Sequence, residues 1–245
     1  MANEPQKLSK KIFVQGTVTA LSGLHIGGGE SGYGFGGADQ LVVRDGFGRP
    51  YLPGSTLKGR MRSLLEHALG KVRISGGQAL PWSGNDDLGK LFGRAADDAD
   101  KGGAAARLIV RDGALENAKE LLESKTTEFP YTEVKTEIAV DRINARAIAR
   151  HIERVPAGAR FSLRMVLSVH EGDDEGALLN LLCEALTLVQ DDALGGHGSR
   201  GYGEVAVAID KVEARDRAAY VGGGGRVAHG FEVPPSLRPR GKVAA

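Results

Sequence analysis

Cysteine is nearly absent from this 245-residue sequence. The single Cys183 lies in the apolar run ALLNLLCEALTLV, so a disulfide within the chain is excluded and a four-ligand cysteine and histidine zinc site is not expected. We interpret Cys183 as a buried small hydrophobe. Also lacking are a signal-peptide pattern and an apolar run of the roughly 18 residues that span a bilayer. We therefore expect a cytoplasmic, soluble protein with no membrane partner.

A large net charge is lacking as well. The formal net charge is only +1, whereas a free-standing protein that binds nucleic acid over its whole surface is usually more basic. Any nucleic-acid site is therefore local or shared with neighbouring chains. Hydrophobic residues make up 41% of the chain, which is enough for one sizeable core with insertions.

Glycine, by contrast, is abundant. The 36 glycines cluster at residues 27–37, 195–203 and 222–225, and such clusters mark sharp turns or close approach of another group to the backbone. The second cluster, GGHGSRGYG, follows a predicted helix and precedes a predicted strand, which is the wrong order for a Rossmann or P-loop turn. Two interpretations stay open: a tight turn, or a backbone that approaches a phosphate with Arg200 adding charge.

Hydrophobic periodicity predicts the order strand, helix, strand, strand, helix, strand. The predicted strands cover residues 11–20, 107–112, 161–169 and 202–210, and the predicted helices cover 55–69 and 175–193. This order predicts an α+β, ferredoxin-like (RRM-like) fold with an antiparallel sheet covered by two helices.

Basic residues crowd the start of the first predicted helix. They follow Ser55 and are Lys58, Arg60 and Arg62. A helix N-terminus is already positive, so this arrangement is unfavourable unless an anion binds there. The alternative is a solvated helix face.

Arginine recurs at every fourth position in DRINARAIARHIERV, as Arg142, Arg146, Arg150 and Arg154. Residues four apart lie on one side of a helix and also on one face of a strand, so this spacing does not distinguish a helix from a strand. The stripe is either a solubilising surface or a basic arm along a nucleic-acid backbone.

Two carboxylate positions have alternative interpretations. Asp39, between a glycine-rich stretch and a short strand, is either a turn residue or a catalytic acid, and His25 at the end of the first strand could assist it as an acid–base or positioning group. The pair Asp173-Asp174 is typical of a polymerase palm, but its place before the second helix favours an N-cap.

Five segments together resemble one known family. They are LHIGGGE, GGADQLVVRDGFGRPYLPGSTLKGRMRSLLE, LFG, VKTEIAVDRINARAIARHIERVPAGARF and GGHGSRGYGEV. Over about residues 12–210 the chain resembles the RAMP-superfamily backbone subunit of type III CRISPR interference complexes, most closely the repeated subunit of the Csm (type III-A) complex. The resemblance implies a ferredoxin-like palm with an inserted thumb hairpin. It also implies copies that stack along a guide RNA and cut a complementary transcript at regular intervals.

The resemblance also implies partners and a chemistry. The partners are a guide (CRISPR) RNA, a complementary target RNA, further copies of the chain, a Cas10-type large subunit and a small subunit. Asp39 is the implied cutting residue and metal ligand, with Mg²⁺ or another divalent cation as cofactor and His25 in a supporting role. The adjacent 2′-hydroxyl is the implied nucleophile, giving a 2′,3′-cyclic phosphate and a 5′-hydroxyl.

The same resemblance assigns guide phosphates to the helix start and the late glycine loop. The candidate RNA-binding residues are Ser55, Lys58, Arg60, Arg62, Gly196, Gly198, Ser199, Arg200 and Gly201. Residues 134–156 are the implied thumb, so Arg142, Arg146, Arg150 and Arg154 become candidate thumb contacts to RNA.

We expect a single RAMP domain over residues 1–245. Its expected parts are a palm at about 11–70, 107–112 and 161–210, a helical insertion at about 71–106, an insertion with the thumb at about 113–160 and a loosely held C-terminal arm at 211–245.

Two departures from the family pattern keep alternatives open. Relatives often carry proline where this chain has Leu41, and asparagine near Ile138-Ala139. These differences indicate a type III-D or other variant, or a copy that is a non-catalytic RNA-binding scaffold. A nucleotide-binding or polymerase-like enzyme is the third hypothesis.

Overall fold

The computed structural model describes residues 7–28, 38–94, 103–124 and 127–239. In chain order the elements are β1 (Leu8–Ala20), β2 (Tyr51–Leu52), α1 (Gly54–Ala68), β3 (Arg73–Ser75), β4 (Gln78–Leu80), α2 (Asp87–Phe92), β5 (Leu108–Val110), β6 (Gly113–Ala114), α3 (Ala118–Glu123), β7 (Glu133–Val140), β8 (Ala147–Arg154), β9 (Arg160–His170), α4 (Glu175–Asp191), β10 (Val205–Asp216), α5 (Arg217–Val221) and β11 (Val227–Ala228). Short 3₁₀ turns lie at Gly198–Arg200 and Pro235–Leu237.

The main sheet has the strand order β11-β10-β1-β9-β5, and every pair in it is antiparallel. Four of its strands form two βαβ halves. The first half is β1, α1 and β5, and the second is β9, α4 and β10. This is the split βαβ topology, so the predicted ferredoxin-like palm is confirmed.

Alternation along β1 decides which face of the sheet is covered. Ile12, Val14 and Val18 are all at most 2% exposed and join one hydrophobic cluster with apolar residues of both long helices. On α4 the contributors recur at helical spacing and include Leu178, Leu182 and Val189. The helix begins after Asp174, whose side chain accepts a hydrogen bond from the Ala177 N–H at 2.9 Å. The predicted N-cap there is confirmed.

A two-stranded hairpin projects from the palm between α3 and β9. It is formed by β7 and β8, which pair from Glu133 opposite Arg154 to Val140 opposite Ala147. The predicted thumb hairpin is therefore present. It also resolves the four-residue arginine spacing, since Arg150 and Arg154 lie on a strand and not on a helix.

Over its described residues, 71–94 and 103–106, the insertion after α1 is only partly helical, so the expectation of a helical insertion at 71–106 is corrected there. It contains the hairpin of β3 and β4 as well as the short α2. The hairpin turn is Gly76-Gly77, with φ angles of +57° and +77°. Two consecutive positive φ values favour a tight hairpin connection, and glycine adopts them without strain.

The C-terminal segment is also held more firmly than expected. β10 extends the palm strand through Asp216, β11 pairs with it, and Leu237 is fully buried in the core cluster with apolar residues of α4. Over residues 211–239 the expectation of a loosely held arm is therefore wrong, because this segment completes both the sheet edge and the core. In the described ranges no helix is long and apolar enough to cross a membrane.

Candidate functional site

Asp39 is fixed to the base of the thumb. Its backbone N–H donates to the carbonyl oxygen of His151 at 2.8 Å, and its Oδ2 accepts from the His151 N–H at 2.8 Å. The next residue, Gln40, forms a parallel bridge to Ile152, and its carbonyl accepts from the Glu153 N–H at 3.0 Å. The carboxylate is exposed, and its Oδ1 has no hydrogen-bond partner among the described residues. Asp39 is thus held to the thumb strand by its backbone N–H and its Oδ2, while its Oδ1 is free to contact a ligand. The glycine-rich residues 29–37 that precede it lie outside the described residues.

A buried carboxylate, Glu153, holds this connection together. It is 3% exposed, and its oxygens accept from the Val42 N–H at 2.8 Å and the Thr132 hydroxyl at 2.7 Å, with Arg44 forming a close ion pair. A buried charge is costly unless it is paired and hydrogen-bonded, and here three donors satisfy it. Glu153 therefore ties the segment after Asp39 to the thumb strand. Sequence reasoning missed this residue because its partners are far away along the chain.

His25 lies five residues beyond the end of β1 at Ala20, so it does not end the strand as expected. It is buried, and its Nδ1 lies 2.6 Å from the Glu153 carbonyl oxygen, which makes Nδ1–H the donor. Its own carbonyl accepts from the Gly196 N–H at 2.9 Å. No hydrogen bond joins His25 to Asp39 in the part of the chain that the structure describes. His25 therefore connects the thumb strand to the late glycine loop, and its Nε2 has no hydrogen-bond partner among the described residues.

The late glycine loop requires glycine at specific positions. Gly195 and Gly203 have φ angles of +82° and +76°. A Cβ at Gly195 would lie 2.3 Å from the His25 carbonyl oxygen, and one at Gly203 would lie 2.1 Å from the Leu194 oxygen. These distances are far inside van der Waals contact, so the loop can pack here only without side chains.

The loop brings His197 to the Asp39 segment. Its Nε2 lies 2.9 Å from the Gln40 side-chain oxygen, so Nε2–H donates, and its Nδ1 lies 3.4 Å from Arg200. The rings of His197 and His25 are 5.5 Å apart. Burial and the nearby His25 lower the pKa of His197, so this ring is neutral at neutral pH. The sequence analysis singled out the neighbours of His197 and overlooked His197 and Gln40.

Tyr202 connects the loop to the thumb. Its ring is buried, with the Lys135 ammonium 4.5 Å and the Arg154 guanidinium 5.1 Å from the ring centre. Burial and the neighbouring Glu137 carboxylate raise the pKa of Tyr202 to about 12. Burial also raises the pKa of Glu137, but Tyr202 and the cations Arg200 and Lys135 outweigh it and the net shift is downward. Tyr202 therefore remains a neutral phenol between two cations, which stabilises the thumb base.

The predicted RNA-binding residues of α1 divide into two groups. Ser55 and Arg60 line a groove of about 490 Å³ together with Gly195 and Gly196. Arg60 also donates to the Ala193 carbonyl at 2.9 Å and pairs with an Asp192 oxygen at 2.8 Å, so part of its guanidinium is already engaged. The structure thus brings the helix start and the late loop together around one cavity.

Lys58 and Arg62 have internal partners instead. The Lys58 ammonium donates to the Leu108 carbonyl at 2.8 Å, and burial together with the nearby Arg62 lowers its pKa. Arg62 pairs with Glu66 at 2.7 Å and donates to the Trp82 carbonyl at 2.6 Å. Neither residue lines the groove.

The thumb arginines also differ in their surroundings. Arg154 pairs with Glu133 at 2.7 Å and lies over Tyr202, so it belongs to the thumb base. Arg142 and Arg146 lie in the exposed turn, and Arg150 is exposed on β8. None of these three forms an ion pair with any residue within the described ranges. They are the cations that the hairpin offers to a ligand.

A metal could be held here only with few protein ligands. The described parts of the chain contain no group of three or more histidine, cysteine, aspartate or glutamate side chains placed to hold a metal ion. Asp39 supplies one exposed carboxylate with a free oxygen. Mg²⁺ usually keeps several waters and binds through one or two carboxylates plus substrate phosphates, so this single donor fits Mg²⁺ when a phosphate is present.

Comparisons with known proteins decide the family. A model described as the RAMP superfamily matches residues 17–206. A relative from Methanocaldococcus jannaschii, named CRISPR system Cms endoribonuclease Csm3, is 36% identical over 220 residues, covering 88% of this chain and 86% of the relative. The chain belongs to the Csm3 family of the RAMP superfamily. The family predicted from the five sequence segments is confirmed.

Solved structures of the Csm3 family agree with the fold. The Csm3–Csm4 subcomplex of a type III-A CRISPR–Cas interference complex matches with a TM-score of 0.58 and 27% identity, covering 91% of this chain and 90% of that chain. Csm3 from Methanopyrus kandleri matches with a TM-score of 0.64 and 25% identity, covering 87% and 80% of the two chains.

Proposed function

We propose that this chain is the repeated backbone subunit of a type III-A CRISPR ribonucleoprotein complex, and that it binds guide RNA and cuts complementary target RNA. The observation that carries the proposal is the attachment of exposed Asp39 to the thumb strand through both its amide and its carboxylate. Relatives that share most of the chain are named endoribonucleases, and a structural relative was solved with a Csm4 subunit.

Further copies of the chain, a Cas10-type large subunit and a small subunit complete the proposed assembly. The described elements form one palm with insertions, consistent with a single RAMP domain, and its place of action is the cytoplasm, where transcripts are made.

Guide RNA occupies the groove between α1 and the late glycine loop in this proposal. Ser55, Arg60 and Gly196 line that groove, and the glycine backbone leaves room for a phosphate to approach N–H groups. The exposed Arg142, Arg146 and Arg150 of the hairpin contact the paired strands. Since Lys58 and Arg62 already have internal partners, they support the helix and contribute charge at longer range.

The target RNA supplies its own nucleophile, so the subunit acts mainly by positioning. The free Oδ1 of Asp39 accepts the 2′-hydroxyl proton, the 2′-oxygen forms a bond to phosphorus, and the bond from phosphorus to the 5′-oxygen breaks. The 5′-oxygen takes a proton from solvent, which yields a 2′,3′-cyclic phosphate and a 5′-hydroxyl. His25 and neutral His197 hold the loop and the Asp39 segment against the thumb. A divalent cation held through Asp39 would stabilise the charge that develops on the phosphate oxygens.

The main alternative is a scaffold that binds RNA without cutting it, and Leu41 motivated it. The Leu41 N–H donates no hydrogen bond to the described residues, whereas its carbonyl accepts from the Gly28 N–H at 3.1 Å. Proline has a carbonyl but no N–H, so leucine in place of proline removes no backbone contact from this segment. The departure at Leu41 is thus compatible with an active site.

The test is cleavage by the assembled complex. Complexes carrying wild-type chain or Asp39→Ala would be loaded with one guide and given labelled complementary RNA, with Mg²⁺ or with a chelator. We expect cleavage only by wild type with Mg²⁺. A matched control is Asp45→Ala, which removes a nearby, partly exposed carboxylate that pairs locally with Arg49 and should cut as wild type does. Equal cutting by wild type and Asp39→Ala would refute the role of Asp39, and cutting by neither would favour the scaffold.

A further inference from the structure

The palm sheet has a second face, opposite the two long helices. Its residues alternate with the core residues: Phe13 of β1 lies directly opposite Val166 of β9 and Glu213 of β10. Phe13 is 9% exposed and Val166 is 5% exposed, although neither belongs to the core cluster beneath the helices. This face therefore encloses an aromatic ring without a covering helix.

Cations surround that ring. The strand registers place Lys11, Arg164, Lys211 and Arg215 on the same side as Phe13, and Arg111 and Arg226 join them as lining residues of one cavity. The facing carboxylates are Glu213, which pairs with Lys211 and more loosely with Arg226, and Glu116, which contacts Thr17. Six cations against two carboxylates give this face a strong positive charge in a chain whose net charge is only +1. Such local asymmetry is typical of a surface that attracts a polyanion.

The cavity at the centre of this face has a volume of about 290 Å³. Three arginines line it, namely Arg111, Arg164 and Arg226, and no carboxylate does. The Arg226 guanidinium lies 3.6 Å from the centre of the Phe13 ring, and its Nη1 lies 4.0 Å from a Glu213 oxygen. Arg164 donates one hydrogen bond, to the Asp112 carbonyl at 3.1 Å, while the Arg111 side chain has no partner among the described residues. Most of their N–H donors are therefore available.

We propose that this cavity binds a phosphodiester of single-stranded RNA, as a site separate from the groove of α1 and the thumb. A guanidinium offers a planar fork that matches two phosphate oxygens, and here three forks converge around one concave site. The bound phosphate lies between Arg111 and Arg164, with Arg226 on the Phe13 ring as the third donor. The ligand is a strand and not an isolated phosphate, because Lys11, Lys211 and Arg215 extend the positive charge along the same face of the sheet. The cavity shares no lining residue with the groove beside α1.

The test compares two matched double variants of the full chain. Arg111→Gln/Arg164→Gln removes two cavity cations, whereas Lys119→Gln/Arg238→Gln removes two exposed cations elsewhere. The probe is a labelled oligouridine of about 12 nucleotides, and its binding is followed by fluorescence anisotropy over a range of salt concentrations. Each phosphate contact to a single strand contributes about 0.7 to the slope of log K against log salt, so the cavity variant, which loses the one phosphate contact of the cavity, should reduce that slope by about 0.7. The control variant should leave it within experimental error of wild type.

Ultraviolet crosslinking followed by peptide mass spectrometry locates the strand. We expect an adduct on the peptide that contains Phe13 in wild type, and its loss in the cavity variant. Unchanged slopes together with no adduct on that peptide would overturn the proposal. Unchanged RNA binding with weakened association between subunits would also overturn it, since the face would then dock an acidic protein surface. Asp39 is intact in both variants, so this outcome is independent of the cleavage test.

Discussion

Replacement of Glu153 by alanine tests how the candidate site is held in place. Glu153 is 3% exposed and accepts from the Val42 N–H, the Thr132 hydroxyl and Arg44. The Glu153→Ala variant removes the acceptor for all three donors. Removing one partner of a buried ion pair costs about 3–5 kcal/mol, but the Arg44 side chain is 29% exposed and regains water. We therefore expect a loss of about 2–4 kcal/mol in the free energy of unfolding.

Urea unfolding followed by circular dichroism measures this loss. The isosteric variant Glu153→Gln keeps an acceptor for Arg44 and Thr132 but turns an amide donor toward the Val42 N–H, so it should lose about 1–3 kcal/mol. The matched control is Glu133→Ala on the same hairpin, whose ion pair with Arg154 is partly solvated. A partly exposed pair contributes at most about 1 kcal/mol.

Replacement of Glu153 should also change target cleavage, which an ordinary core mutation would not do. Because Glu153 joins the Asp39 segment to the thumb, the assembled complex should bind target RNA but cut it more slowly when Glu153 is replaced by glutamine. A Glu153→Ala variant within 1 kcal/mol of the wild-type stability would refute the assignment of Glu153 as the anchor. Wild-type cleavage rates with Glu153→Gln would refute its connection to Asp39.

Three further outcomes are expected. Asp39→Asn keeps an acceptor for the His151 N–H and should leave target binding unchanged while lowering the cleavage rate by about 10²–10⁴-fold; equal loss of binding would contradict this. Gly203→Ala should destabilise the chain by more than about 1 kcal/mol in urea unfolding, because φ is +76° and the Cβ would meet Leu194, whereas Gly59→Ala in open space on α1 should stabilise it by about 0.5–1 kcal/mol. The pKa of His197 is lowered in the folded state, so the unfolded chain binds its proton first and stability falls as pH drops below about 6.5. His197→Gln should weaken that dependence, and an unchanged pH profile would contradict the assignment.

The palm could be predicted from the sequence because local patterns specify it. Alternation in β1 and β9 and helical spacing in α4 reflect which side chains face one core, and the order of these elements leaves few topologies. The short β3–β4 hairpin was missed because its strands are only three residues each, too short for a periodic signal. The burial of Leu237 was missed for another reason: one apolar residue in a proline-containing tail has no pattern until α4 is placed beside it.

The candidate site was only partly predictable. Asp39 and the glycine loop could be singled out as candidates from the sequence, because they lie in segments that resemble those of a known family. The contacts of Glu153 with Val42 and of His197 with Gln40 span 111 and 157 residues, and no local rule connects such positions. The hydrogen bond from Arg62 to the Trp82 carbonyl and the contact of Arg154 with the Tyr202 ring likewise depend on the fold.

The parallel bridge between Gln40 and Ile152 attaches the segment of Asp39, the proposed cutting carboxylate, directly to the thumb. In the proposed filament, the position of each cut along the target is then measured from the hairpin of the same subunit. Successive cuts would then be spaced by the distance between successive copies of the subunit, and the sequence of the target would not determine that spacing. Lengthening the hairpin turn would alter the grip on the duplex, whereas sliding the Asp39 segment along β8 would move the cut itself.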